Sequence, residues 1–370
     1  MVKEKGIVVC SLFDGMSGTQ MALKNLGIKV DKYYASEIDK YAIQITRKNF
    51  PDTIHLGDVK DIKGEDFIRD IDLVVAGSPC QGFSFAGKQL AFDDPRSALF
   101  FEFIRILREV KPKYFLLENV RMKKEFQDVI SEQISSVYPE YTSGGLFNIE
   151  PILINSALLS AQNRNRLYWT NIPGVEQPED LGIVLRDVLE TCSTKSKFTY
   201  NTPKKLYDIP REILKDNERQ RRVYSTDGKS PTVLARSDSA KVETYNTPKQ
   251  VGTAKEINGH DILKRVYSED GKSPTLNSMG GGNREPKVAV SKIRDKSKTV
   301  RSGGRLSYDR HEWDSVDELH WRKLTPLECE RLQTFPDNYT EGVSNTQRYK
   351  MLGNGFTVRV IEHILKNMEI

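Results

Sequence analysis

The chain has 370 residues, 38% of them apolar and 29% charged, with a formal net charge of +5. That mix supplies a packed core beneath a wet surface. It contains no apolar run of about 18 residues, so a membrane-spanning helix is excluded. The apolar run at residues 6–12 is too short for a signal peptide and reads as a first strand. Four cysteines, Cys10, Cys80, Cys192 and Cys329, lie far apart without a Cys-x-x-Cys pair. This spacing argues against a disulfide framework or a zinc knuckle and for a reducing, cytoplasmic setting.

Short apolar runs alternate with helix-like stretches through the first 170 residues. Residues 7–13, 32–36, 72–77 and 114–117 are strand-like, and residues 18–26, 40–49 and 98–110 carry apolar positions at helical spacing. The alternation predicts a doubly wound α/β fold around a mostly parallel sheet. Ligands of such sheets sit at the carboxyl ends of strands. Asp14, Glu37, Asp58, Cys80 and Glu118 each follow an apolar run and fall at that edge.

Residues 186–321 differ in texture, with short apolar runs and much Lys, Ser, Thr, Gly and Asn. Between Lys195 and Lys323 there are 28 Lys and Arg against 18 Asp and Glu, net +10, while the rest of the chain is net −5. A basic segment on a mildly acidic body suits contact with a polyanion. The segment also repeats itself. Arg222-Val-Tyr-Ser-Thr-Asp-Gly-Lys-Ser-Pro-Thr232 recurs as Arg265-Val-Tyr-Ser-Glu-Asp-Gly-Lys-Ser-Pro-Thr275, and Tyr200-Asn-Thr-Pro-Lys204 as Tyr245-Asn-Thr-Pro-Lys249. Each Asp-Gly is a turn signal between β-prone residues, so two similar β-hairpin units are expected. Thr325-Pro326 then opens a helix in the favoured N-cap and N1 arrangement. An amphipathic stretch at 357–368 closes the chain. We therefore divide it into residues 1–185, an inserted, mostly β domain at 186–321, and a return to the first domain at 322–370.

Five constellations could carry chemistry. Phe13-Asp-Gly15-Met-Ser-Gly18 lies between a strand and a helix, where glycines let backbone approach a ligand. It lacks the Gly-Lys-Ser/Thr ending of a triphosphate loop. Glu37, ending the next strand, stands where an acid binds ribose hydroxyls, and Asp58 could meet an adenine amino group. This describes an adenosine-containing cofactor, and fits a nicotinamide enzyme as well as a methyltransferase. Gly77-Ser-Pro-Cys80-Gln-Gly-Phe-Ser84 sets a cysteine in a loop directly after a strand, where a thiolate could attack an electron-poor ring carbon. Most isolated cysteines are core residues instead. Glu118-Asn119-Val120 offers a carboxyl at the neighbouring strand end for a pyrimidine N3 and amino group, or simply an ion-paired acid. Gln162-Asn-Arg164-Asn-Arg166 puts two arginines on one face of a strand, suited to a thiolate, a base carbonyl or a phosphate.

This ordered set resembles the cytosine-5 DNA methyltransferases. Phe13-x-Gly15-x-x-Gly18 is similar to that family's cofactor motif, Pro79-Cys80-Gln81 to its nucleophile motif and Glu118-Asn119-Val120 to its base-binding motif. Gln162-x-Arg164-x-Arg166 matches the paired-arginine motif. Arg322-Lys-Leu-Thr-Pro-x-Glu328-x-x-Arg331-Leu-Gln-x-Phe335-Pro and Gly353-Asn354-Gly355-x-Thr357-Val358 match the last two motifs. The resemblance spans essentially the whole chain in the family's usual order. One departure stands out: most bacterial members carry adjacent glycines where this chain has Met16-Ser17-Gly18.

The resemblance implies the class I S-adenosylmethionine-dependent fold with an inserted target-recognition domain. It also implies methyl transfer to cytosine C5 in double-stranded DNA by a monomer, with S-adenosylhomocysteine as the product and no metal. Cys80 would attack C6, Glu118 would stabilise the activated ring at N3 and N4, Arg166 would hold O2, and Arg164 would support the thiolate and sugar-phosphate. Phe13, Gly15, Gly18, Glu37, Asp58, Pro79, Leu99, Asn354 and Val358 would bind the cofactor. Residues 81–96 look like a loop that closes over a flipped base. The glycine-rich stretches 280–284 and 301–305 would approach DNA. Restriction–modification, phage self-protection and regulation all remain open as settings. The alternatives are an RNA cytosine-5 methyltransferase of the same fold, a catalytically silent DNA-binding protein, and a nicotinamide oxidoreductase. The last leaves the Pro-Cys-Gln and final motifs unexplained.

Overall fold

A computed structural model describes residues 5–67, 70–77, 98–141, 149–190 and 321–370. Within 191–320 it describes 205–208, 222–224, 241–242, 248, 250–254, 257, 260–276 and 285–289. The first strand explains the architecture. β1 (Ile7–Leu12) is buried at all six positions, which only a sheet covered on both faces allows. Beside it run β2 (Val30–Ser36), β3 (Ile54–Gly57), β4 (Leu73–Gly77), β5 (Tyr114–Val120), β6 (Ile152–Asn155) and β7 (Asn165–Thr170). The order across the sheet is β3-β2-β1-β4-β5-β7-β6. The first five are parallel, and β7 runs antiparallel to both β5 and β6.

Alternate residues of β1 feed two cores. Val9 joins a cluster with Leu23, Val75 and Ile361, and Val8, Cys10 and Leu12 join one with Phe103, Leu107 and Phe115. The helices divide accordingly. α1 (Gly18–Asn25) and α2 (Lys40–Asn49) contribute to the first face, and α3 (Ala98–Val110) and α4 (Lys124–Val137) to the second. The chain order reverses between β1 and β4, so their carboxyl ends flank a crevice. No described helix is long and apolar enough to cross a membrane.

The insert is built twice over. β8 (Lys205–Asp208) pairs antiparallel with β9 (Arg222–Tyr224), which pairs parallel with β10 (Lys241–Val242). β11 (Gln250–Thr253), β12 (Arg265–Tyr267) and β13 (Lys287–Ala289) repeat that arrangement, with the four-residue α5 (Asp261–Lys264) before β12. The registers coincide: Lys205 faces Tyr224 as Gln250 faces Tyr267, and Lys241 faces Val223 as Lys287 faces Val266. Both antiparallel pairs slip register at the same place.

These units correct the hairpin expectation. The second Asp-Gly, Asp270-Gly271, lies between β12 and β13, which pair in parallel, so it does not turn a hairpin; the antiparallel partner of β12 is β11, earlier in the chain. A turn signal specifies a reversal but not what the flanking strands pair with. The first Asp-Gly lies outside the described residues. β14 (Trp321–Lys323) adds antiparallel to β13, so the insert's sheet extends two residues past the expected boundary.

The chain then returns to the first domain through α6 (Pro326–Leu332), α7 (Asn345–Asn354) and α8 (Val358–Leu365). α6 starts on a full capping box: Thr325 Oγ1 accepts from Glu328 N–H and Glu328 Oε2 accepts from Thr325 N–H. α8 packs against α1, tied at the surface by Asn25 Nδ2 donating to Glu362 Oε1.

Candidate active site

The turn after β1 is held in an unusual shape. Phe13, Gly15 and Ser17 all adopt left-handed φ values, 57°, 60° and 61°. Only glycine does so without steric cost, and such strain collects at functional sites. Asp14 staples the turn. Its carboxylate accepts from Ser17 Oγ and from Tyr33 OH at 2.7 Å, while its N–H donates to Ser36 O. Burial pushes the Asp14 carboxyl up to about 6, aided by the nearby charge of Glu37 and opposed by its hydroxyl donors. The departures at 16 and 17 thus have their own anchors. Met16 is buried in the core and its carbonyl accepts from Tyr339 OH at 2.7 Å. Ser17 takes the left-handed place that glycine would occupy more cheaply.

Glu37 directly follows β2, with its Oε2 accepting Gly15 N–H at 2.8 Å and its Oε1 accepting the N–H groups of Ile38 and Asp39. The carboxylate is therefore fixed, with one lone pair on Oε2 left for a ligand. Asp39 caps α2 and meets Lys350 Nζ at 2.7 Å. Burial works against its charge, but Lys350 and the Tyr41 N–H hold its carboxyl below the ordinary range. Asp58 sits after β3, accepting from Lys60 N–H.

At the next strand ends, Glu118 and Arg166 face each other diagonally across the antiparallel β5–β7 pair. Glu118 lies opposite Tyr168, and Arg166 opposite Val120. Arg166 Nε approaches Glu118 Oε1 at 2.9 Å, with side chains only 14% and 11% exposed. Gly77, the last residue of β4, lies in register with Glu118. Pro79 and Cys80, three residues or fewer beyond it in sequence, lie outside the described residues, as do 81–96, 280–284 and 301–305. Two other thiols are accounted for. Cys10 and Cys329 are fully buried, and burial pushes both well above the ordinary thiol range. Neither is placed to act as a nucleophile.

One cavity of about 430 Å³ joins these parts. Phe13, Gly15, Gly18, Glu37, Asp58 and Leu99 line it together with Glu118, Arg164, Arg166 and Asn354. Val358 does not line it. That residue is wholly buried, and its N–H donates to Gln333 O. Arg164 is 3% exposed and spends its guanidinium on the carbonyls of Leu276, Gly353 and Gly355. It braces the cavity wall that it lines, where the sequence suggested a partner for thiolate and phosphate. Gln333 completes the brace, donating to Leu352 O and Gly355 O and accepting from Thr357 Oγ1.

Sequence reasoning missed Ile38, which is 74% exposed in the cavity wall. An apolar residue directly after a strand-end acid was the available signal. The chemistry of the walls suits one kind of cofactor. Phe13 and Ile38 offer apolar surface for a purine. Glu37 offers a fixed acceptor for ribose hydroxyls. Asp14, Glu37 and Asp58 outnumber Lys60 at this end, while Lys350 is already paired with Asp39. Such a site favours a cationic nucleoside over a pyrophosphate.

Comparisons with known proteins agree with this layout. Residues 7–369 match the family of C-5 cytosine-specific DNA methylases. The chain is 31% identical over 436 aligned positions to the orphan methyltransferase M.SPBetaI of Bacillus phage SPbeta, covering 97% of each. It is 29% identical to the type II methyltransferase M.HpaII of Haemophilus parainfluenzae, covering 95% of this chain and 86% of that protein. Among solved structures, the Entamoeba histolytica methyltransferase EhMeth superposes with a TM-score of 0.62 at 15% identity, covering 98% of both chains. A putative DNA modification methyltransferase from an E. coli prophage superposes with a TM-score of 0.58 at 20% identity over 98% of both.

Proposed function

The chain belongs to the C-5 cytosine-specific DNA methylase family, and we propose that it methylates a cytosine flipped out of duplex DNA, with Cys80 as nucleophile and S-adenosylmethionine as donor. The observation that carries this reading is the single cavity joining the nucleoside-suited end at Phe13, Glu37 and Ile38 to the Glu118–Arg166 pair.

Cytosine C5 is too weak a nucleophile to take a methyl group unaided. The Cys80 thiolate adds to C6, and the electron pair of the C5–C6 double bond becomes available at C5. Glu118 binds N3 and the exocyclic amino group, holding the proton that neutralises the ring. Arg166, oriented by Glu118, reaches O2. S-adenosylmethionine, when bound, supplies the electrophilic methyl group. Removal of the C5 proton and departure of the Cys80 sulfur from C6 then restore the aromatic ring. A stacked base is out of reach of these groups, so the target must leave the helix, at a cost of a few kcal/mol. The basic insert supplies phosphate contacts and base readout.

The test is tritium transfer from labelled S-adenosylmethionine to DNA, with bisulfite sequencing of DNA from an expressing host to locate the product. Label on 5-methylcytosine is expected. Cys80→Ser should abolish transfer while DNA binding persists. Substantial retained activity refutes the role of Cys80, and label on transfer RNA alone favours the RNA alternative.

A further inference from the structure

The second repeat buries a lysine against the catalytic domain. Lys272 has no exposed surface, and its ammonium donates to the carbonyls of Ala157 at 2.7 Å, Ser160 at 3.2 Å and Ile183. Three donors meet three acceptors, so backbone dipoles satisfy the charge. Burial lowers its tendency to stay protonated, and Asp180 and Asp187 counter that. A methionine would fill the same space without a desolvation cost, so packing alone does not account for an amine here.

What Lys272 holds is informative. Ala157 and Ser160 belong to the 3-10 turn at Ser156–Leu158 and its exit, which lead directly into Gln162-Asn163-Arg164. The residues after Lys272 run alongside that segment. Ser273 N–H donates to Ala161 O at 2.7 Å, and Asn163 N–H donates to Ser273 O at 2.9 Å. Thr275 Oγ1 donates to Asn163 O at 2.6 Å, and Leu276 O accepts from Arg164 at 3.1 Å. Arg164 also grips Gly353 and Gly355 in the cavity wall, and two residues on Arg166 pairs with Glu118.

We propose that Lys272 is a positioning residue for methyl transfer, locking the approach to Arg164 and Arg166 against the second repeat. It touches neither base nor cofactor and acts through residues 157–164. The recognition insert thereby forms part of the scaffold of the reaction site as well as a DNA-reading surface. This rests on the methyltransferase reading above.

The experiment compares full-length wild type, Lys272→Met and Thr275→Val by thermal melting, S-adenosylmethionine calorimetry, and kcat and KM on unmethylated DNA bearing the target site. Lys272→Met should bind the cofactor within about twofold of wild type and keep its KM for DNA, while kcat falls by about tenfold or more, the scale of a small misplacement of reacting groups. Thr275→Val, which removes one bond of the same lock, should lower kcat by less and leave the other parameters alone. A folded Lys272→Met with wild-type kcat overturns the proposal, and so does a loss confined to KM. If Lys272→Met does not fold, an unchanged kcat in Thr275→Val overturns it. Absence of transfer by the wild type would instead defeat the parent reading.

Discussion

The ring of Phe356 lies against Gly77 so closely that a methyl group on that glycine would come within 2.8 Å of Cε1 and 3.0 Å of Cζ. This contact joins the end of β4 to the final motif of the chain, 279 positions later in sequence. Gly77→Ala must push the ring or the strand, and overpacking of this kind costs about 1–3 kcal/mol. We expect a lower urea midpoint and weaker cofactor binding. Gly77→Ala with Phe356→Leu should recover most of both. An alanine variant as stable as wild type would mean that the ring moves away freely.

The Glu118–Arg166 pair makes a different demand. Glu118→Gln retains an acceptor for Arg166 Nε but loses the proton-holding carboxyl. It should melt close to wild type while kcat falls about 10²–10⁴-fold, the usual worth of a positioned acid. Arg166→Ala leaves Glu118 largely buried without its partner and should be both inactive and destabilised by a few kcal/mol. Comparable activity in Glu118→Gln and wild type would remove Glu118 from the reaction.

Asp14 predicts a pH signature. Its carboxyl is raised from the ordinary 3.8 to about 6 by burial. Between those values the folded chain keeps a proton that the unfolded chain has released, so this group's contribution is present at low pH and lost as pH rises through 6. Relative to Asp14→Asn, the wild type should lose about 2 kcal/mol between pH 4.5 and 7.5. Urea titrations of both proteins across that range measure it. A constant gap would show that Asp14 titrates like an ordinary carboxylate.

The two buried thiols give a mapping experiment. Alkylation of the native protein should abolish transfer without modifying Cys10 or Cys329, which have no exposed surface. Peptide mass mapping should find the label at Cys80. Alkylation of Cys10 at the rate of inactivation would reassign the nucleophile.

Much of this was legible in the residues. The parallel sheet followed from apolar runs ending in acids, because burial on both faces and ligand-facing strand ends leave that pattern directly in sequence. Glu37 and Glu118 were likewise singled out by their place at strand ends, and Arg166 by its alternation with Arg164. The role of Arg164 was not legible. Alternation put it on the face of Arg166, but its partners at Leu276, Gly353 and Gly355 come from segments more than 100 positions away. Val358 shows the same limit: a motif names neighbours in sequence without saying which of them face the cavity. The repeat announced two copies, yet only pairing in space revealed that each is a three-strand unit, an antiparallel pair with a parallel strand added.

The seating of α8 on α1 has a consequence for synthesis. Asn25 and Glu362 stand 337 positions apart, so α1 waits for α8 before its apolar side is covered. At ribosomal rates that interval is on the order of tens of seconds. During it the early half carries an uncovered core face, a hazard for aggregation. Deleting the final helix should leave a chain that fails to assemble, whatever the state of its catalytic residues. The first face of the sheet is therefore covered only once α8 has been made.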